Sequence, residues 1–367
     1  MVTTISLPTP TLRSAGWDGK ARDLSEGLVD RFGRHGTDLR ISLIDKCNLR
    51  CTYCMPADGL PWLGRDQLLS ADEIRRLVRI GVDTLGIREL RLTGGEPLVR
   101  KDLVDIIAGI RSDHPQLPIA MTTNAIGLER KADQLKAAGL DRINISLDTV
   151  HRETFAQVTR RDNLDKVLTG VEAAAAAGLT PLKINAVLLR GINDSQAPEL
   201  LQWALDHGYE LRFIEQMPLD AEQAWKREAM VTAAETRELV RQSFRLTPVD
   251  EDRDGAPAEK FNVWDRDGSA ASPLGTVGII ASATEPFCAD CTRTRITAEG
   301  RVMSCLFSRD EHDLRDLLRH PDTSDDDVAH RWAQAMWEKP AAHGTDRAGF
   351  DQPGFSRPSR SMSAIGG

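Results

Sequence analysis

The stretch Asp45-Lys46-Cys47-Asn48-Leu49-Arg50-Cys51-Thr52-Tyr53-Cys54-Met55-Pro56 follows a run, Leu39–Ile44, that reads as a β-strand. Three thiols within eight residues must wrap around a single object, because so short a loop cannot span two. A closed tetrahedral metal site or an ordinary iron–sulfur cubane takes four protein ligands. This loop offers three, and a centre short of one ligand can bind something else. A zinc knuckle borrowing its fourth ligand is the bland alternative, with His35 the nearest histidine in sequence. Position matters as much as spacing. A loop leaving the first strand of a parallel sheet lies at the mouth where α/β folds place their chemistry.

Outward from this loop the chain alternates strands and helices. Ser70, with Glu73 three residues on, is a capping-box start for a helix reaching about Leu85. Glu89–Thr93 reads as a strand ending in Gly94-Gly95-Glu96-Pro97. The pattern continues with a helix at Asp102–Arg111, a strand at Ile119–Thr123, a helix at Leu128–Ala138 and a strand at Arg142–Leu147. Helices at Arg152–Val158 and Leu164–Ala177, a strand at Leu182–Leu189, a helix at Ala197–His207 and a strand at Leu211–Gln216 complete it. Such alternation implies right-handed crossovers and a parallel sheet. Six strands are too few for a closed eight-stranded barrel. The expected fold is therefore α/β, a partial (open) six-stranded βα barrel over residues 37–217. Residues 1–36 read as a loose N-terminal arm with a short helix near Leu24–Phe32. Residues 218–367 form a C-terminal region with a helix at Ala233–Arg241, strands at Phe244–Val249, Lys260–Val263 and Gly275–Ile280, and one or two later helices. Asp250–Asp254 and Gly268–Ser272 read as loop insertions within it.

The bulk numbers narrow the function. With 367 residues, 41% hydrophobic and 28% charged, the chain has ordinary globular composition. A net charge of −8 gives no global attraction to nucleic acid or to anionic membranes. No stretch approaches the roughly 18 apolar residues of a membrane helix. The N-terminus lacks the basic start and apolar run of a signal peptide. These features point to the cytoplasm, where thiols stay reduced, so the six cysteines read as metal ligands rather than disulfides.

The remaining cysteines form a second triad, Cys288, Cys291 and Cys305. A structural zinc site completed by His312 would use them. Arg293 and Arg295 argue for more. At alternate positions they put two cations on one side of an extended segment, a pattern suited to phosphate oxygens.

The C-x3-C-x2-C loop, with an aromatic residue before its last cysteine, resembles the radical S-adenosylmethionine (SAM) superfamily. That resemblance implies a [4Fe-4S] cluster on Cys47, Cys51 and Cys54 whose open iron binds SAM. It also implies cofactor contacts from Tyr53, Gly95, Glu96, Ser146 and Met217. The second triad, the Arg293-Thr294-Arg295 run and the final Gly366-Gly367 narrow it further. From about Leu39 to Gly367 the chain resembles the GTP 3′,8-cyclase family of molybdenum cofactor biosynthesis. The family implies a second [4Fe-4S] cluster on Cys288, Cys291 and Cys305, carried by the C-terminal extension and holding the guanine base. It implies GTP contacts from Arg40, Arg91, Thr122, Lys183, Arg293, Thr294 and Arg295. It also implies catalytic roles for Arg40, Gly366 and Gly367, with the tail threading back into the cavity beside Arg40. Disorder, or a conjugation tail, would be the alternative uses of terminal glycines.

The implied reaction starts with reductive cleavage of SAM. The 5′-deoxyadenosyl radical takes hydrogen from C3′ of GTP, the C3′ radical adds to C8, and reduction and protonation follow. The product, (8S)-3′,8-cyclo-7,8-dihydroguanosine 5′-triphosphate, would pass to a cyclic pyranopterin monophosphate synthase. An unidentified electron donor is required, and the sequence leaves monomer and homodimer open. Two other readings compete: a radical SAM enzyme modifying a peptide, and a zinc-stabilised nucleic-acid module. The arginines disfavour the first and the net charge the second.

Overall fold

The computed structural model describes residues 11–12, 22–251, 253, 255–343, 355, 357–358 and 360–366. Its strands are β1 (Thr11–Leu12), β2 (Asp38–Ser42), β3 (Glu89–Thr93), β4 (Ile119–Thr123), β5 (Arg142–Ser146), β6 (Lys183–Val187) and β7 (Glu210–Ile214). They continue with β8 (Phe244–Pro248), β9 (Glu259–Asp265), β10 (Gly275–Ile280), β11 (Arg293–Ile296), β12 (Arg301–Met303) and β13 (Asp310–Asp313). The helices are α1 (Ala71–Asp83), α2 (Leu103–Asp113), α3 (Ala132–Ala137), α4 (Arg152–Thr159), α5 (Leu164–Ala176), α6 (Ala197–Asp206) and α7 (Ala233–Arg241). Three more follow: α8 (Arg315–Arg319), α9 (Asp325–Trp337) and α10 (Met362–Ile365).

Strands β2 to β7 pair in chain order, all parallel, as the strand–helix alternation requires. The expected capping box forms at the start of α1, where Glu73 N donates to Ser70 Oγ and Ser70 N to the Glu73 carboxylate. A parallel sheet covered by helices on both faces reads as continuous apolar runs. These strands do not. Leu39 and Ile41 of β2, Leu90 and Leu92 of β3, and Leu211 and Phe213 of β7 are buried in the core with Ile74, Leu77 and Val78 of α1. The residues between them, Arg40, Arg91 and Arg212, face the other way onto a cavity. Two-residue periodicity thus makes one face of the sheet a core and the other a polar wall.

The C-terminal region extends this sheet at both ends. β10 pairs parallel with β7, and β11 pairs parallel with β2. The full order is β1-β13-β12-β11-β2-β3-β4-β5-β6-β7-β10-β9-β8, whose outermost strands do not pair with each other. The β11–β2 pairing sets Arg295 opposite Arg40. It brings the segment after the second triad alongside the strand that feeds the first.

The structure corrects one expectation in the N-terminal arm. Leu24–Phe32 is not a helix but a pair of turns closed by a bridge between Val29 and His35. Asp30 accepts from the backbone N–H of Phe32 and of Arg34, and Gly27 and Gly33 take positive φ. That turn chemistry wins over the helical pattern. Strands β11, β12 and β13 carry no alternation long enough to read in advance. No helix among the described residues is long and apolar enough to cross a membrane.

Candidate functional site

One cavity of about 310 Å³ carries all six thiols on its wall. The first triad reaches it on the loop after β2, which lies against the turn after β3. Gly95 N donates to Ile44 O at 2.6 Å, and Glu96 N to Lys46 O at 2.8 Å. A Cβ on residue 95 would fall 2.4 Å from both the Asp45 and Lys46 carbonyl oxygens, so only glycine permits this approach. The Glu96 side chain is committed elsewhere. Its carboxylate accepts from Thr123 Oγ1 at 2.5 Å, Asn124 N at 2.7 Å and Leu98 N at 3.0 Å. Burial pushes its pKa up to about 7 against those hydrogen bonds. Glu96 therefore ties the end of β3 to the end of β4. Asn124, so held, donates through Nδ2 to Asn48 Oδ1 at 2.6 Å, next to Cys47. Tyr53 donates its hydroxyl to Asp148 at 2.8 Å, beyond the end of β5.

The first three thiols sit in an unhelpful environment for thiolates. Burial raises Cys47 to about 11, with Glu96 adding to the effect, and raises Cys54 to about 12. Burial and Asp148 push Cys51 well up. Such thiols lose their protons only to a cation that they bind.

In the second triad, Cys291 has the opposite surroundings. Lys339 donates to Cys291 Sγ at 3.3 Å and to Cys291 O at 3.1 Å. Arg34 donates to Cys288 O at 2.7 Å while paired with Asp30 at 2.6 Å. Burial works to raise Cys291, but Lys339 and Arg293 outweigh it and bring the thiol down to about 6. Cys305 is raised by burial. His312 joins no ligand set; its Nε2 lies 3.2 Å from the Glu338 carboxylate. Among the described residues, no three His, Cys, Asp or Glu side chains converge as ligands of a single ion. The donors of each triad are three soft thiols, a set that suits an iron–sulfur cluster with an open iron.

Between the triads five arginines line the wall: Arg40, Arg91, Arg212, Arg293 and Arg295. The Nε groups of Arg40, Arg91, Arg212 and Arg295, and one terminal nitrogen of Arg295, are buried without an acceptor. Burial, then Arg40, lowers Arg91 to about 9; burial, then Arg40 and Arg293, lowers Arg295 to about 9. Burial lowers Arg212 to about 10. Asp38 lies 3.4 Å from Arg40, one layer below. Buried cations with open donors and mutual repulsion form a wall for a polyanion.

The structure sorts the expected residues. Arg40, Arg91, Thr122, Arg293, Arg295, Tyr53, Gly95, Glu96, Ser146 and Met217 all line the cavity. Lys183 does not. It sits one layer deeper and pairs with Glu210 at 3.2 Å, its partner in the β6–β7 register. Thr294 does not either. Alternation along β11 turns it onto the core face, where its Oγ1 accepts from Trp332 Nε1 at 2.9 Å. Arg212 was missed, although its two-residue spacing from Glu210 on β7 and its match with Asn185 on β6 are the signal that finds it.

The tail returns to this wall. Met362 and Ser363 line the cavity, and Ser363 hydrogen-bonds Cys54. Arg360 anchors the segment, donating to Glu299 at 2.6 Å and to the Glu311 carboxylate. Gly366 has φ +79, and a Cβ there would lie 2.2 Å from Thr93 Oγ1 and 3.0 Å from Ser42 Cβ. Ser42 shares its face of β2 with Arg40, the expected neighbour of the tail. Gly367 lies outside the described residues.

Residues 41–204 match the family model described as the Radical SAM superfamily, and residues 209–345 that described as Molybdenum Cofactor Synthesis C. A curated relative from Paenarthrobacter nicotinovorans, named GTP 3′,8-cyclase, is 66% identical over 345 residues, covering 93% of this chain and 97% of its own. A relative of the same name from Streptomyces coelicolor is 53% identical, covering 95% of this chain and 98% of its own. Another, from Mycobacterium sp. strain KMS, is 52% identical over 100% of this chain and 99% of its own.

Proposed function

The chain belongs to the GTP 3′,8-cyclase family of radical SAM enzymes, and from that premise we propose how its residues divide the work. The enzyme converts GTP to (8S)-3′,8-cyclo-7,8-dihydroguanosine 5′-triphosphate, the first step of molybdenum cofactor biosynthesis, using SAM and two [4Fe-4S] clusters.

Cys47, Cys51 and Cys54 would hold one cluster, and Cys288, Cys291 and Cys305 the other, in the C-terminal extension. When bound, the clusters and SAM supply the electron, the 5′-deoxyadenosyl radical that acts at C3′ of GTP, and an open iron for the purine. Everything else falls to the chain. Arg40, Arg91, Arg212, Arg293 and Arg295 bind the triphosphate, whose oxygens satisfy the nitrogens left open in the wall. Gly95 lets the SAM end of the cavity form, and Glu96 and Asn124 hold its cysteine loop in place. Tyr53, Ser146 and Met217 border the SAM position, and Thr122 the substrate. Gly366 closes the cavity near Arg40 and excludes water from the reacting atoms, the part in which the family also casts Gly367. The scaffold is a partial βα barrel formed by residues 37–217, with residues 1–36 and 218–367 as flanking regions. A cytoplasmic enzyme of this kind draws on an electron donor and hands its product to a cyclic pyranopterin monophosphate synthase. Whether it works as a homodimer is decided by its mass in solution.

The observation that carries this assignment is the arginine wall shared by both triads. Its test is an oxygen-free incubation of reconstituted protein with SAM, GTP and dithionite. Methionine and 5′-deoxyadenosine should form together with the cyclised nucleotide, and an Arg293→Ala, Arg295→Ala variant should lose GTP binding. Retention of full GTP affinity by that variant removes the triphosphate assignment.

A further inference from the structure

One buried charge beside the second triad has no part in the reaction as described. Lys339 follows α9 and is 2% exposed. Its ammonium donates to Arg293 O at 2.9 Å, Cys291 O at 3.1 Å and Cys291 Sγ at 3.3 Å. An ammonium has three donors. All three are used here, and among the described residues none of these acceptors is a carboxylate. Burying a cation without an anionic partner is strongly unfavourable. The arrangement makes sense where Cys291 itself carries negative charge. Arg34, which donates to Cys288 O, is already balanced by Asp30. At the first triad, among the described residues, no cation donates to a sulfur: Arg50 donates to Cys47 O, and the amide of Asn124 lies 3.8 Å from Cys47 Sγ.

We propose that Lys339 is a positioning residue for the second iron–sulfur cluster: it fixes Cys291 and raises that cluster's reduction potential. The inference rests on the assignment of Cys288, Cys291 and Cys305 as cluster ligands. A hydrogen bond and a positive charge at a ligating sulfur stabilise the more negative, reduced state of a cluster. The ammonium also ties the Cys291 sulfur to the backbone carbonyls of Cys291 and Arg293, which holds Cys291 in orientation.

The test uses the full-length chain carrying Cys47→Ala, Cys51→Ala and Cys54→Ala, so that only the second cluster forms. After anaerobic reconstitution it should hold about four irons. Reductive titration followed by electron paramagnetic resonance gives the midpoint potential. Lys339→Met should shift the reduction equilibrium at least tenfold towards the oxidised state, about 59 mV for one electron. Lys339→Arg, which keeps the charge, should stay closer to the parent. An unchanged midpoint in Lys339→Met overturns the proposal. A second measurement needs no substitution at 339. With ¹⁵N-labelled lysine, pulsed resonance on the reduced cluster should show coupling to the ammonium nitrogen, and a loaded cluster without that coupling also overturns it. A background protein that takes up no iron removes the cluster assignment itself, a result distinct from either.

Discussion

The two thiol triads share one cavity but live in opposite electrostatic settings. Around Cys47 and Cys51, burial together with Glu96 and Asp148 outweighs Arg50 and the hydrogen bonds that oppose it. Around Cys291 the neighbours are Lys339 and Arg293. Both loops present three sulfurs, yet only at Cys291 do neighbouring cations overcome burial and favour negative charge. The difference teaches that ligand count sets what a centre can bind, while the shell behind the ligands sets how readily it accepts an electron. It also gives each triad a separate way to fail.

The largest expected effect is loss of metal. Replacing either triad by alanines should lower the iron content from about eight to about four per chain and abolish cyclised product. Iron analysis with product detection checks this. A second-triad variant that keeps all its iron would break the symmetry between the loops.

Substitution at Gly95 should separate them more finely. Gly95→Ala drives a methyl into two backbone carbonyls, so SAM binding and first-cluster assembly should be lost while the second cluster loads. Equal loss of both clusters would mean that the loops fold as one unit.

The arginine wall comes next. Arg295→Ala should weaken GTP binding by about 2–3 kcal/mol, roughly 30- to 150-fold by calorimetry, without lowering the melting temperature of the ligand-free protein. Removing one of several mutually repelling buried cations relieves the empty cavity. Thr294→Val, one residue away, should do the reverse. It leaves Trp332 Nε1 without an acceptor, costing about 1–3 kcal/mol of stability with GTP affinity intact.

The smallest effect is a pH slope that belongs to the first triad's side. Glu96 has a folded pKa of about 7 against an ordinary value of 4.5. A carboxyl whose pKa is raised by folding contributes stability that is full below 4.5 and is lost as pH rises through about 7. Thermal melts of the cluster-free protein across that window should show falling stability, and Glu96→Gln should flatten the slope.

Much of this molecule is legible in its sequence because its strongest signals are local. The six parallel strands follow from strand–helix rhythm, the α1 cap from Ser70 and Glu73, and the end of β3 from Gly94-Gly95. Residues failed where an outcome depends on layer or register. Lys183 and Arg212 lie on neighbouring strands and differ by one layer, which decides that the first meets Glu210 and the second meets the cavity. Thr294 sits between two wall residues, and alternation alone sends it to the core. Lys339 has no motif around it. Only the packing of α9 behind β11 brings it to Cys291.

The pairing of β11 with β2 joins residues that lie far apart in the chain, Arg295 and Arg40 among them. During synthesis, β2 therefore leaves the ribosome as a bare edge strand and stays so until residue 296 has been added. The nascent sheet can close its other strands first, leaving one side unprotected. A message truncated before β11 would yield a product whose open edge invites pairing with a second copy, and such fragments should precipitate rather than accumulate as a working half-enzyme.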